Sequence, residues 1–264
     1  MNQLRRKVWT GIGVFMLGAT QVDWTGALAA SKGEGGEGGE GGEGGEGGEG
    51  GERGRRGAQS KLDWLTGLCL VEGHLLVAME LLRAGKLDAA KTHLKHPSDE
   101  IYASLKPGFR RYKAEGFAAE LDKLAKAASS GDKAAAESAY GEVTKKIEAA
   151  RRKAPVGTKA ELQVVAKLLQ TAGEEYREAI KDGRVADPHE YQDALGFTRV
   201  TARLLERLQP KAAAERSAVE SARKTVAELS GLWPSLPGDG ATAGDPAQIQ
   251  AAASRIELSA SGLR

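Results

Sequence analysis

The 264-residue chain contains a single cysteine, Cys69, so no intramolecular disulfide can stabilise its fold. The fold must therefore depend on its own apolar core. A single thiol among apolar helix residues is most simply a small buried hydrophobic side chain, and metal ligation by Cys69 is the less favoured alternative. Aromatic residues make up only 5% of the chain and the net charge is only +2, which argues against a nucleic-acid-binding surface.

The chain also lacks the short motifs of common catalytic sites. It has no Cys-x-x-Cys-His for covalent haem, no Gly-x-Ser-x-Gly, no phosphate-binding P-loop and no His-Glu-x-x-His. The Glu-x-x-His pair of ferritin-type bundles is absent as well, which argues strongly against a di-iron oxidase. We therefore predict no enzymatic activity.

Residues 1–29 have the composition of a secretory signal peptide. A basic Arg-Arg-Lys start and a short apolar stretch precede an Ala-Leu-Ala cleavage site that ends at Ala29. The apolar stretch is shorter than the roughly 20 residues that a membrane-spanning helix needs. We therefore expect cleavage and a periplasmic or secreted mature chain. The alternative is an uncleaved N-terminal anchor.

Residues 30–58 are predicted to be a disordered tether. Within them, residues 33–52 repeat Gly-Gly-Glu with a period of three, without proline, which excludes a collagen helix. Glycine buries no apolar area and the glutamates repel one another, so the segment should be a flexible spacer. Loose collection of cations by its carboxylates is the less favoured alternative, because exposed glutamates have no fixed geometry for an ion.

The remainder of the chain has the composition of an all-α protein, a helical bundle of about seven to eight helices. Helices are predicted at about 59–84, 87–96, 109–129, 132–153, 159–182, 188–208, 211–231 and 246–258, with a short helix between Pro97 and a break at Lys106-Pro107-Gly108. A boundary near Ala154 divides the bundle into an N-terminal half, 59–154, and a C-terminal half, 155–264.

The two halves share one short pattern. Glu80–Leu87 and Glu178–Val185 both show a helix end, a glycine, a basic residue and an apolar residue. The pattern could mark two related helical hairpins, and ordinary turn chemistry between helices explains it equally well.

Histidines concentrate in one stretch, Glu72–Glu100. If the chain reverses at Gly85, His74 lies 11 residues before the turn and His96 lies 11 residues after it, with His93 one helical turn from His96. The three side chains would then lie at similar height along a helical hairpin, with Glu100 just beyond it. Such a cluster suits zinc, copper or iron. The alternative is a set of ordinary hydrogen-bonded histidines.

Several acidic residues occupy apolar helix faces. Glu72 lies at the centre of the apolar stripe of the first helix, about 160° around the helix from His74, so the two side chains should not bind the same ion. In the second half, Glu190 and Asp193 fall on an apolar stripe and Glu175 lies beside one. Inward carboxylates from separate helices can hold iron or manganese. Alternatively, Glu190 caps its helix and Asp193 pairs with an arginine.

Residues 174–197, EEYREAIKDGRVADPHEYQDALGF, resemble the extracytoplasmic helical domains that accompany bacterial high-affinity iron permeases. The resemblance rests on a Glu-Tyr pair, an Asp-Gly-Arg-Val turn and the Glu-Tyr-Gln-Asp sequence that ends at Asp193. It is more distant to imelysin-like iron-uptake proteins, whose His-x-x-Glu motif is missing here. The permeases' Arg-Glu-x-x-Glu transport motif is also missing. The resemblance implies a soluble relative of the accessory domain, with a membrane metal permease or a redox partner.

The leading hypothesis is therefore an exported metal-binding protein for acquisition or handling of iron, with copper and zinc as alternative ions. The competing hypothesis is a structural or adaptor bundle without metal, in which Glu72 and Asp193 pair with arginines. A histidine site on the hairpin and a carboxylate site that Glu72 shares with residues 174–197 are both predicted, and one of them alone is equally compatible with the sequence. The candidate metal ligands are Glu72, His74, His93, His96, Glu100, Glu175, Glu190 and Asp193.

Overall fold

A computed structural model of the chain describes residues 59–238, 241 and 243–264. The predicted signal peptide and tether lie outside the described residues. The described residues fall in one compact unit, so the two predicted halves pack together. The described residues are almost entirely helical, which confirms the all-α prediction. They contain nine α-helices, more than the seven to eight expected, because the short helix predicted after Pro97 runs through the predicted break and is a helix of ten residues.

The elements follow one another along the chain in a simple order. The helices are α1 (Lys61–Arg83), α2 (Leu87–His96), α3 (Tyr102–Arg111), α4 (Ala118–Ser129), α5 (Lys133–Lys153), α6 (Thr158–Ala179), α7 (Pro188–Arg207), α8 (Ala213–Ala227) and α9 (Ala247–Ser261). A π-helical segment, Pro97–Ile101, joins α2 to α3, and a 3₁₀ segment, Glu228–Leu232, follows α8. Strands β1 (Ile180–Lys181) and β2 (Arg184–Val185) form a short antiparallel hairpin between α6 and α7.

Helix α1 is the core of the bundle. It contacts α2, α5, α6 and α7, and nearly all of its side chains are buried. It is long and apolar enough to cross a membrane by length and composition, and 94% of that apolar window is buried inside the protein. This burial is typical of a central bundle helix and explains why α1 is apolar on two sides. Helices α6, α7, α8 and α9 pack together as a four-helix group beside it.

The two glycine turns resemble each other only in part. Gly85 follows the last residues of α1 with φ +75°, a left-handed conformation that glycine adopts at little cost, and α2 returns antiparallel as predicted. Gly183 also has a positive φ, +70°, but it lies between β1 and β2. The second turn is therefore a small β-hairpin and the first is a direct helix–helix turn.

The predicted break at Lys106-Pro107-Gly108 is wrong, because Pro107 lies inside α3. Its ring is exposed, and the carbonyl group that its missing N–H would have bonded belongs to the exposed residue Ala103, where water can satisfy it. Packing outweighs the local penalty: Gly108 lies directly against the Trp64 ring, whose Nε1 donates a hydrogen bond to the Leu105 carbonyl at 3.1 Å.

The predicted continuous helix at 109–129 is also wrong, because residues 112–117 separate α3 from α4. The Tyr102 hydroxyl accepts hydrogen bonds from the backbone N–H groups of Phe117 and Ala118, at 2.8 and 3.1 Å. These are two of the donors that a helix leaves unpaired at its start. A side chain fifteen residues earlier in the sequence therefore helps to define where α4 begins.

Helices α1 and α7 approach each other most closely at two glycines. A Cβ atom on Gly196 would lie 2.5 Å from the Gly73 carbonyl oxygen, and a Cβ on Gly73 would lie 2.5 Å from Cδ1 of Phe197. Both distances are far below van der Waals contact. The backbones of the two helices are therefore in direct contact at this point. This contact sets the register in which residues of α1 face residues of α7.

We expect Gly196→Ala to lower the free energy of unfolding by about 1–3 kcal/mol, because the new methyl group meets fixed backbone rather than a flexible side chain. The matched control is Gly141→Ala in α5, where nothing lies within 4 Å of the added Cβ. That substitution should raise stability by about 0.5–1 kcal/mol. Urea unfolding of both variants checks the prediction, and a Gly196→Ala protein as stable as the wild type would contradict it.

Candidate metal centre

The four histidines of the chain meet around one carboxylate, that of Asp193. Three helices bring them together. His74 comes from α1, His93 and His96 come from α2, and His189 and Asp193 come from α7. The sequence hypothesis of a His74–His93–His96 group therefore agrees with the geometry.

Asp193 is only 2% exposed and its two oxygens face different histidines. Oδ1 lies 2.6 Å from Nδ1 of His74 and 2.8 Å from Nδ1 of His93. Oδ2 lies 3.5 Å from Nδ1 of His189, one helical turn earlier on α7. The His96 ring completes the group, with its centroid 4.4 Å from that of His189 and 5.5 Å from that of His74.

His93 is fully buried and donates hydrogen bonds from both ring nitrogens. The Gln192 amide nitrogen donates to the Pro237 carbonyl at 3.0 Å, so the amide oxygen must face His93, and it lies 2.8 Å from Nε2. That contact requires a proton on Nε2. The other nitrogen, Nδ1, faces the Asp193 carboxylate and needs a proton as well. His93 is therefore an imidazolium, and it forms a buried ion pair with Asp193.

The charges of this pair agree with their surroundings. Burial by itself would raise the pKa of Asp193, but the neighbouring His74 and His93 hold that pKa well below its usual range. Burial by itself would lower the pKa of His93, but Asp193, together with Gln192 and Glu190, more than offsets it, so the pKa of His93 is raised. Both shifts favour the charged forms.

Two other ring nitrogens in the cluster are buried without an aligned hydrogen bond, Nδ1 of His74 and Nε2 of His189. Nδ1 of His74 lies 2.6 Å from Asp193 Oδ1, close enough for an ion pair, but no aligned hydrogen bond joins the two atoms. An unmatched buried nitrogen costs free energy unless it has a partner. Nδ1 of His74 faces the carboxylate, where either a proton or a cation between the two atoms would satisfy both.

The donor atoms fit a transition-metal ion in number and type. Two groups of three have their potential ligand atoms within 4.8 Å of one another, and both include Asp193: one adds His74 and His93, the other adds His96 and His189. In a tetrahedral shell with bonds near 2.0–2.1 Å, donor atoms lie about 3.3 Å apart. The contacts of 2.6 and 2.8 Å to Oδ1 must therefore open by roughly half an ångström to admit an ion. In the absence of an ion, protons between the nitrogens and Oδ1 allow these short contacts.

His189 is the member of the cluster that sequence reasoning missed. Its ring stacks on that of His93, with centroids 4.3 Å apart and planes 10° apart. Burial, together with the charges of His93 and His96 and against the opposing charge of Asp193, lowers the pKa of His189 to about 4. The signal in the sequence was the spacing of His189 and Asp193, four residues apart and hence on one helix face.

A cavity of about 280 Å³ reaches the cluster from outside the bundle. His189 and Gln192 form part of its wall, together with Lys86 and Pro237. It brings solvent close to the edge of an otherwise buried group, as an ion-binding site requires.

Glu72 does not join this cluster, and the predicted carboxylate site shared by Glu72 and residues 174–197 is wrong in this respect. Glu72 is buried at the opposite side of α1, where burial raises the pKa of its carboxyl group and Arg151 lowers it in part. Arg151 also donates hydrogen bonds to Cys69 Sγ at 2.6 Å and to Glu161 at 2.9 Å. Burial raises the pKa of the Cys69 thiol to about 12, as expected for a small buried side chain.

The other acids predicted as metal ligands occupy different places. Glu175 and Glu190 form a separate acidic group with Glu178 on α6 and α7. Burial lowers the pKa of His96, and the negative charges of Asp193 and Glu100 oppose that shift. Asp193, which the sequence assigned to a carboxylate site, belongs with the histidines instead, because the Gly73–Gly196 approach sets α7 directly against the His74 side of α1.

The fold and the site define an all-α bundle with a buried histidine–aspartate group that can hold a metal ion. Residues 154–263 match the family model described as the iron permease-associated 4-helix bundle domain. The match confirms the resemblance inferred from residues 174–197 and links the chain to iron permeases. No curated protein and no solved structure matches the chain significantly. The matched residues include α6 to α9, with His189 and Asp193, and leave the other three histidines outside.

We expect the metal-free protein to lose stability as the pH falls from about 6.5 to about 4, because the unfolded chain binds a proton on His189 that the folded protein does not. With a pKa of about 4 in place of 6.5, this effect is at most about 3 kcal/mol. Urea unfolding in the presence of a chelator should show a smaller loss of stability in His189→Gln than in the wild type.

Thr92→Ala supplies the control for this pH dependence, since Thr92 is exposed on α2 and lines the same cavity without titrating. Its loss of stability with acid should equal that of the wild type. A His189→Gln protein that loses as much stability as the control would show that His189 is not held neutral by the fold.

Proposed function

We propose that the chain is an exported metal-binding protein that handles iron in association with a membrane iron permease. The observation that carries the proposal is the convergence of all four histidines, from three helices, on one buried carboxylate. The match of residues 154–263 to the iron permease-associated domain supports iron as the ion and a permease as the partner.

The donor set supports a borderline first-row divalent ion. Imidazole nitrogen is a good ligand for Fe²⁺, Cu²⁺ and Zn²⁺, and a single carboxylate adds charge without converting the site to the all-oxygen type preferred by Ca²⁺ or Mg²⁺. Raw affinity in such a site would favour copper over iron. Iron is therefore proposed from the family match, and copper and zinc remain competing ions on chemical grounds.

The mechanism is capture and release without turnover. Asp193 and the protonated His93 form an ion pair that keeps the carboxylate in place before an ion arrives. Binding at His93 requires loss of a proton from a ring nitrogen, so ion uptake and proton release are coupled. Gln192, anchored on the Pro237 carbonyl, keeps the His93 ring oriented while Nδ1 exchanges its proton for the ion.

A structural or adaptor bundle without metal is the second candidate, and Glu72 is the residue that favours it. Burial raises the pKa of its carboxyl group, and the charges of Arg151, Arg207 and Arg203 oppose that shift, as expected for an acid near arginines. Asp193 does not follow the same pattern, since its neighbours are histidines rather than arginines. The surroundings of Glu72 therefore favour the structural hypothesis, and those of Asp193 favour the metal-binding hypothesis.

We expect Asp193→Asn to weaken metal binding by more than about 100-fold, because loss of an outer partner alone costs about 10–100-fold. Glu72→Gln is the matched control, a buried carboxylate of the same bundle outside the donor groups, and should leave metal content unchanged. Anaerobic equilibrium dialysis with Fe²⁺, followed by elemental analysis, measures both variants, with circular dichroism to confirm that they fold. Substoichiometric metal that Asp193→Asn leaves unaltered would favour the structural hypothesis.

Export is proposed from the N-terminal sequence, with its basic start, apolar stretch and Ala-Leu-Ala site. We expect a chain expressed in a Gram-negative host to be recovered from the periplasm with Ala30 as its first residue. N-terminal sequencing and cell fractionation measure this outcome. A cytoplasmic product that retains Met1 would contradict the proposed signal peptide.

A further inference from the structure

We infer that the cluster holds two metal ions, bridged by the carboxylate of Asp193. The inference rests on the proposed metal-binding function and extends it from one ion to a pair. The first ion would be bound by His74, His93 and one oxygen of Asp193, and the second by His96, His189 and the other oxygen.

The stacking of His93 and His189 argues against a single shared ion. The lone pair of an imidazole nitrogen lies in the plane of its ring, so a bound ion must lie near that plane. These two rings are nearly parallel, at 10°, with centroids 4.3 Å apart. An ion placed between them would lie well outside both planes. Each of the two rings must therefore bind a different ion.

The orientation of Asp193 agrees with a bridge. Oδ1 faces His74 and His93, and Oδ2 faces His189. Each side has two histidines and one oxygen, and the carboxylate belongs to both donor groups. Two ions bound to stacked rings would be separated by about the ring spacing, which is close to the roughly 3.5–4 Å of known two-metal sites.

The second donor group, His96, His189 and Asp193, also contains a buried nitrogen without a hydrogen-bond partner and is reached by a cavity. Nε2 of His189 is buried without a hydrogen-bond partner, and the His189 ring forms part of the wall of the cavity of about 280 Å³. Negative charge lies nearby as well. Burial lowers the pKa of His189 and of His96, and the negative charges of Glu190 and Glu100, respectively, oppose these shifts, so both carboxylates act on the second donor group.

Titration of the chelator-treated chain with Co²⁺ tests the inference, and the preparation must carry no histidine tag. Equilibrium dialysis should show two Co²⁺ ions per chain above the blank given by Asp193→Asn, which accounts for loose binding to other carboxylates. Electron paramagnetic resonance should show a signal from the fully loaded protein smaller than the sum of two isolated ions, since a carboxylate bridge couples their spins.

The double variant His96→Ala, His189→Ala should bind one Co²⁺ and lose the coupling. Both positions are only partly buried, so the variant should fold. One ion in the wild type would overturn the two-ion inference, whether or not the double variant retains it, and would leave the proposed function intact. Two ions in both Asp193→Asn and the wild type would overturn the bridge. No bound ion in any preparation would overturn the proposed function together with the inference.

Discussion

The Asp193 carboxylate is charged and almost completely removed from water, and the arrangement of the site follows from the need to compensate it. A buried carboxylate without a partner would take up a proton or destabilise the fold. Here the protonated His93 lies 2.8 Å away, and His74 and His189 face the two oxygens. The same donors that compensate a charge in the absence of metal are those that a metal ion would use, so stability and binding depend on one group of atoms.

That group exists only because α1 and α7 touch. Gly73 lies beside His74, and Gly196 lies one helical turn after Asp193, so the close approach of the two glycines brings the imidazole and the carboxylate to the same level. The turn at Gly85 then returns α2 so that His93 and His96 reach this level from the other side. The remaining helices chiefly bury the apolar faces of this framework.

The residues that match the iron permease-associated domain include only part of the proposed site. The matched residues supply Asp193 and His189, whereas His74, His93 and His96 come from the helices that precede the match. The proposed site thus lies where the additional N-terminal helices pack against the four-helix group. A chain with the matched domain alone would retain one carboxylate and one histidine of the five donors.

The sequence by itself determined the helical class, the turn at Gly85 and the equal height of His74, His93 and His96, because helix periodicity and turn chemistry are local. Tertiary structure decided which residues join them. Glu72 and Asp193 have the same signature, an acid on an apolar stripe, yet Glu72 faces Arg151 and Asp193 faces the histidines. The contacts between α1 and α7 depend on a backbone approach at two glycines, and such an approach leaves no periodic pattern from which the partner could be read.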